Sequence, residues 1–158
     1  MTSFHLVQSN LVWEHIDANL EHLEHQIMGI RSGAIILPEM FSTGFSMDSE
    51  KLAESMTGKA VTWLKKQATQ KQVYICGSII IEEDSRYFNR FVWVAPDGAM
   101  TTYDKRHLFR MAGEHHHYAA GADQTQLSID ELQLRPQICY DLRFPAWSRN
   151  TSGYDVLL

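Results

Sequence analysis

FHLVQSNLVWEHIDANLEHLEHQIMGIRSGAIIL, residues 4–37, is the stretch whose reading decides the architecture. Phe4 to Gln8 alternates as a short strand does. Asp17 is placed to cap a helix, and Leu20, Leu23, Ile27 and Ile30 then recur at spacings of 3, 4 and 3. That is one apolar stripe on a helix, with Glu21, His22, Glu24 and His25 on the water side. Gly33 is expected to stop the helix. Ala34-Ile35-Ile36-Leu37 is wholly apolar, and such a run after a helix reads as a buried parallel strand. Strand, helix and strand together make a βαβ unit.

Working outward, Pro38 to Phe45 is a loop containing Gly44. A second helix is predicted from Thr57, with Val61, Leu64 and Ala68 as its stripe. Val73–Ile81 and Phe88–Ala95 are strands, and Pro96-Asp97-Gly98 turns the chain into a third, Ala99–Tyr103. Residues 104–124 show no period, and an irregular segment of that length in a compact domain points to function or disorder. Gln126–Ile129 and Gln133–Ile138 read as a strand pair, Phe144–Asn150 as a short helix with Pro145 near its start, and Asp155–Leu158 as one more strand. There is no repeat, low-complexity tract or linker, so residues 1–158 read as one α/β domain with a mixed sheet. The chain stops inside the apolar run Val156-Leu157-Leu158. Either that run is an edge strand closing a small domain, or the chain is the N-terminal part of a longer one; the second reading is favoured because a buried strand seldom ends a domain.

Composition narrows the classes. The 158 residues carry 14 Lys and Arg against 19 Asp and Glu, a net charge of −5, with 44% hydrophobic and 21% charged residues. This is the balance of a globular protein with a real core. An acidic chain argues against a general nucleic-acid binder or a basic membrane-surface protein. No apolar run approaches the roughly 18 residues of a membrane span. The start lacks the basic-then-apolar pattern of a secretory signal. Two cysteines, Cys76 and Cys139, are too few for a disulfide framework, which favours a reducing, cytoplasmic setting.

Three places carry reactive side chains at strand ends. In Leu37-Pro38-Glu39-Met40-Phe41, Glu39 follows a buried strand, where α/β sheets build their sites, and could act as a partly desolvated general base; it could equally be a capping or ion-pairing loop residue. In Tyr103-Asp104-Lys105-Arg106-His107-Leu108-Phe109, Lys105 could stabilise an oxyanion or a thiolate, or belong to a solvated basic turn. In Ile138-Cys139-Tyr140-Asp141-Leu142-Arg143-Phe144-Pro145, Cys139 ends a strand just before a helix. That position is expected to lift the thiol from the sheet, aim it at the positive helix end and favour thiolate. The bland alternative is a buried structural cysteine, as Cys76 reads in Val73-Tyr74-Ile75-Cys76.

Other features are set aside. His115-His116-His117 are consecutive, and neighbouring side chains do not converge readily on one ion. No HExxH, paired CxxC, GxGxxG or phosphate loop is present. Trp13, Trp63, Trp93 and Trp147 read as packing residues. No metal and no cofactor is expected.

Taken in order, with intervals of 66 and 34 residues between Glu39, Lys105 and Cys139, these three motifs resemble the nitrilase, or carbon–nitrogen hydrolase, superfamily. The fuller strings Pro38–Phe45 and Arg143–Asn150 are most similar to its bacterial omega-amidase branch, and the resemblance covers nearly the whole chain. It implies an α-β-β-α sandwich, incomplete here at the C-terminus, whose subunits pair as homodimers through helices when full length. It implies a Glu39, Lys105, Cys139 triad and a second glutamate seven residues before a glycine, which Glu114 and Gly121 match. Many relatives carry Glu where this chain has Ala146, and all continue well beyond the strand after the cysteine.

The chemistry this resemblance implies is hydrolysis of a small amide through a thioester. Glu39 is the base, Cys139 the nucleophile, Lys105 and the Tyr140 N–H the oxyanion donors, and Glu114 the group that holds Lys105. Arg143, four residues past Cys139, would pair with a substrate carboxylate or else form an ion pair with Asp141 or another acid. The implied substrate is a small 2-oxo acid amide such as 2-oxoglutaramate. The alternatives are another amidase or N-carbamoyl hydrolase of the superfamily, an inactive truncated fragment, and, from the histidines, a metal-dependent hydrolase.

Overall fold

A computed structural model describes residues 2–158. Strand β1 (Phe4–Leu6), helix α1 (Ile16–Gln26) and strand β2 (Ala34–Ile36) form the βαβ unit, with Phe4 opposite Ala34 in a parallel pair. There follow α2 (Ser49–Leu52), α3 (Lys59–Lys71), β3 (Tyr74–Glu83), β4 (Arg86–Val94) and β5 (Met100–Asp104). These strands make one sheet in the order β1-β2-β3-β4-β5, parallel up to β3 and antiparallel beyond it. A second sheet contains β6 (Leu127–Ile129), β7 (Leu132–Arg135) and β8 (Val156–Leu157) in that order, with the one-turn helix α4 (Pro145–Ser148) between the last two in sequence.

The two-residue period of the strands sorts their side chains into two layers of core. Ile75, Ile79 and Ile81 of β3 and Val92 and Val94 of β4 pack against Leu20 and Leu23 of α1 and Val61, Leu64 and Ala68 of α3. Cys76, Phe91, Trp93 and Tyr103 point the other way and meet Leu127, Ile129, Leu134 and Ile138. Among the described residues the layers are therefore helix, sheet, sheet, which is the expected sandwich without its fourth layer.

Several boundaries differ from the sequence reading, each for a local reason. The N-cap of α1 is His15, and Asp17 lies inside the first turn, where its charge still suits the positive helix end. The helix closes at Gln26 through the tight bond from Met28 N to His25 O, so the buried Ile27 and half-buried Ile30 extend the apolar stripe beyond the helix. Gly33 does not stop α1. It turns the chain into β2 at φ 81°, where a Cβ would lie 2.2 Å from Ser3 O. Helix α3 starts at Lys59 because the Glu54 carboxylate accepts hydrogen bonds from Ala60 N at 3.0 Å and Val61 N at 2.9 Å. The β3–β4 hairpin reaches past the core to a two-residue turn, Asp84 at φ 50° and Ser85 at φ 58°, the mirror-image geometry that matches strand twist.

Candidate active site

Each reactive residue is held at a strand end by a different device. After β2 the chain bends at Met40, φ 46°, a strained left-handed conformation. The bend is pinned to β3: Met40 N donates to Ser78 Oγ at 2.8 Å and Phe41 N to Ser78 O at 3.2 Å. It comes so close that a Cβ on Gly77 would lie 2.7 Å from the Phe41 ring. Glu39 heads this bend.

Lys105 follows β5. The preceding Asp104 is clamped by two of the Arg90 guanidinium nitrogens, Nε at 2.7 Å and Nη2 at 2.8 Å. The irregular segment 106–121 then loops out and returns, with Gly121 N donating to Lys105 O at 2.9 Å. Glycine is required there, since a Cβ would lie 2.2 Å from Asp104 O. The loop carries Glu114 back to Lys105, and one Glu114 oxygen also accepts from Phe109 N.

The ammonium of Lys105 lies 2.8 Å from Glu39 Oε1 and 3.0 Å from Glu114. The side chains of Lys105 and Glu114 are wholly buried, while that of Glu39 is 21% exposed. Burial alone would favour neutral lysine, but the two carboxylates outweigh it and hold the ammonium above its ordinary range. One positive charge between two acids leaves the cluster one charge negative, open to solvent only on the Glu39 side. Lys105 Nζ also faces the Phe45 ring at 5.1 Å.

Cys139 opens a 3-10 turn, Cys139–Arg143, at φ 44°. A non-glycine residue held at positive φ on the same cavity as a carboxylate is the kind of strain that collects at functional sites. The anchor is Asp141, fully buried. It accepts hydrogen bonds from Tyr103 Oη at 2.7 Å, from His107 N at 2.8 Å and from Ile138 N at 3.1 Å, with His107 Nδ1 also at 2.8 Å. The His107 ring stacks on Phe144 at 3.7 Å. Asp141 thus clasps the cysteine turn to the lysine loop.

The residue Cys139 is exposed, and it shares a small cavity of about 120 Å³ with Glu39, Ile36, Phe91, Gln137 and Leu158. The thiol is not poised as a thiolate. Partial loss of solvent, foremost, and the Glu39 charge push it up, and Lys105 only partly offsets them. The expected help from a helix N-terminus falls short because the turn is a single one of 3-10 type, with little dipole to offer. The Tyr140 N–H is second in that turn, where a helical N–H has no acceptor within its own helix.

Arg143 is exposed, and among the described residues it forms no ion pair. Asp141, one of its expected partners, is already fully engaged. Arg143 is also absent from the walls of the Glu39–Cys139 cavity. A separate cleft of about 350 Å³ is lined by Arg106 and Arg110 together with His115, Tyr140 and Phe144. The rings of His115 and His116 lie 3.9 Å apart. Among the described residues no three His, Cys, Asp or Glu side chains converge as metal ligands. No helix there is long and apolar enough to cross a membrane.

Sequence reasoning missed Asn89. It is fully buried on β4 and donates from Nδ2 to Glu39 Oε1 at 2.8 Å and to Glu114 Oε1 at 3.3 Å. The available signal was a polar pair, Asn89-Arg90, inside an otherwise apolar strand, where buried polar groups demand partners. Arg90 finds its partners in Asp104 and Glu83, and Asn89 finds its own in the two acids.

Residues 6–157 match the carbon-nitrogen hydrolase family, and the chain belongs to it. Within that family it is 44% identical over 97% of its length to a Yersinia enterocolitica protein named omega-amidase YafV, of which the alignment covers 60%. It is 34% identical over 78% of its length to a 2-oxoglutaramate amidase of Bacillus subtilis, covering 49% of that protein. The chain thus spans about 60% of the length of the first of these relatives. The crystal structure of a CN-hydrolase superfamily protein from Xanthomonas campestris, carrying an arsenic adduct in its active site, superposes with a TM-score of 0.89 at 39% identity. That superposition covers 93% of this chain and 56% of the other. The fold is that of the nitrilase superfamily.

Proposed function

We propose that the whole protein is an amidohydrolase that cleaves the terminal amide of a small 2-oxo acid amide, of the 2-oxoglutaramate type, to the acid and ammonia. The observation that carries the reading is the buried Lys105 ammonium held between Glu39 and Glu114, at 2.8 and 3.0 Å, beside an exposed cysteine on a strained turn. The omega-amidase and 2-oxoglutaramate amidase relatives support the substrate class.

The thiol is neutral at rest, so catalysis begins with proton transfer. Glu39 takes the Cys139 proton as the sulfur attacks the amide carbon. Lys105 and the Tyr140 N–H receive the developing oxyanion. Glu39 returns the proton to the departing nitrogen, ammonia leaves, and a thioester remains on Cys139. Glu39 then draws a proton from water, hydroxide adds to the thioester, and collapse of the second tetrahedral species frees the acid and the thiol. Glu114 accepts a hydrogen bond from Lys105 and keeps the ammonium in place. A substrate carboxylate would be met by one of the exposed arginines: Arg143 on the cysteine turn, or Arg106 and Arg110 in the cleft that Tyr140 also lines. We propose a cytoplasmic homodimer as the setting of the protein, on the low cysteine count and the family resemblance.

The test is ammonia release from 2-oxoglutaramate by the whole protein and its Cys139→Ala and Cys139→Ser variants. Both variants should fall to background. Undiminished turnover in the alanine variant would rule out thiol catalysis.

A further inference from the structure

Four hydrogen bonds in the buried cluster close into a ring. Lys105 Nζ and Asn89 Nδ2 are the two donors, and the Oε1 atoms of Glu39 and Glu114 are the two acceptors. The edges are 2.8 and 3.0 Å from the lysine and 2.8 and 3.3 Å from the asparagine. The geometry points to Asn89 as a positioning residue for the base: by completing this ring it ties down Oε1 of Glu39 and leaves Oε2 as the oxygen that faces the Cys139 thiol. This role rests on the amidase reading above.

Three observations support it. First, the orientation of the carboxamide is forced. Turned over, it would set Oδ1 against two carboxylates, whereas as placed it offers an N–H to each. Second, Asn89 Oδ1 is buried with no hydrogen-bond partner among the described residues. A group that leaves its own acceptor unsatisfied at a cost is held there for what its donors do. Third, the valences leave one choice for the base. Glu39 Oε1 already accepts two hydrogen bonds, while among the described residues Oε2 accepts none. Glu39 has the exposed edge, and Cys139 lies on the same cavity.

The chemistry explains why an amide serves here. A second ammonium would neutralise the cluster and weaken Glu39 as a base. A carboxylate would add a third acid to one lysine. Asn89 supplies two donors and no charge. The backbone adds a further tie, since Lys105 N donates to Asn89 O at 3.0 Å. One residue therefore fixes the lysine by its main chain and both acids by its side chain. The titratable groups facing the ring are Glu39, Lys105, Glu114 and Cys139, with the buried Tyr118 phenol beyond them, held up by its burial and by the acids.

The experiment uses the whole protein with Asn89→Leu, Asn89→Asp and Asn89→Ser. It reads ammonia release against pH, iodoacetamide modification mapped to Cys139 against pH, and thermal melting. Losing a hydrogen bond to an ionised acid should lower kcat of Asn89→Leu by about tenfold to a hundredfold, with KM little changed. Without the N–H dipoles the carboxylates hold protons more tightly. The acid limb of kcat/KM and the Cys139 modification profile should then both move to higher pH, further in Asn89→Asp than in Asn89→Leu. If turnover per folded molecule and both profiles match wild type, with only melting changed, Asn89 is merely structural and the inference is overturned. Should Asn89→Leu fail to fold, Asn89→Ser decides by the same criteria. If the wild type releases no ammonia from any omega-amide, the amidase reading fails, and the modification profile still decides the role of Asn89.

Discussion

Asp141→Ala removes the carboxylate that, among the described residues, joins the nucleophile turn to the lysine loop. The carboxylate receives the backbone N–H groups of His107 at 2.8 Å and Ile138 at 3.1 Å, the Tyr103 hydroxyl at 2.7 Å, and His107 Nδ1 at 2.8 Å. Tyr103 Oη keeps other contacts, to Trp147 Nε1 and Arg106 N, so its loss is partial. The two backbone N–H groups have no such alternative. Ile138 N is buried and His107 N half-buried, so at about 1–3 kcal/mol for a buried donor left unpaired and less for the other the variant should lose about 2–4 kcal/mol, a large part of the roughly 5–15 kcal/mol of a typical domain. Asp141→Asn keeps one acceptor but turns an NH2 group toward donors, so it should cost less than alanine and more than nothing. The consequence for chemistry is local: Cys139 relaxes from its positive φ and turnover collapses even where the protein stays folded. Urea unfolding of the whole protein gives the stability, and ammonia release at a urea concentration well below the midpoint gives the activity. A midpoint unchanged in Asp141→Ala, together with wild-type turnover, would refute the clasp.

The remaining predictions concern the cluster and its loop. Glu39→Gln removes a negative charge that holds the thiol up, so Cys139 should titrate at lower pH in that variant while ammonia release is lost; a thiol titration that moves upward would contradict this electrostatic account. In the wild type, Cys139 modification by iodoacetamide should keep rising above the ordinary thiol range of about 8.5 rather than level off near neutrality. Gly121→Ala forces a methyl to within 2.2 Å of Asp104 O. It should displace the Glu114 loop and cut turnover at least tenfold, and a fully active alanine variant would show that the loop has slack. Glu114→Gln leaves Lys105 with a single acid partner in a buried site, so kcat should fall by about tenfold to a hundredfold, measured as ammonia release at saturating substrate.

How much could be read in one dimension differs from element to element. The βαβ unit was legible because its signals are local: a stripe at helical spacing, then an all-apolar run where a parallel strand must be buried on both faces. The strands 73–81 and 88–95 were legible for the same reason, but their hairpin was not. Glu82, Glu83, Arg86 and Tyr87 continue the ladder beyond the core, where pattern no longer reports pairing. Cap positions were misread where the partner comes from outside the helix, as Glu54 does for α3.

Within the site, Glu39, Lys105 and Cys139 stood out as reactive residues at strand ends, and Glu114 and Gly121 followed from the ordered resemblance. Composition and spacing alone left each with a bland alternative. The convergence of Lys105, Glu39 and Glu114 within hydrogen-bonding distance is a property of the fold, since Glu39 lies 66 residues before Lys105 and Glu114 returns to it only through the 106–121 loop. So is the upward push on the thiol, which comes first from partial loss of solvent and then from the nearness of the Glu39 carboxylate. Arg143 read either as a carboxylate anchor or as an ion-pairing residue, and the turn leaves it exposed with no ion pair among the described residues. Asn89 carried no motif, and Asp141 stood inside the cysteine motif without its clasping role being legible, because their meaning lies in partners 25 to 50 and 34 to 38 residues away. Hydrophobic period and turn chemistry are encoded between neighbours, so the sequence by itself determined the elements and the inventory of reactive groups. Hydrogen bonds and charges act through space at a few ångströms, so only the tertiary structure decided which of those groups meet, and in what protonation state.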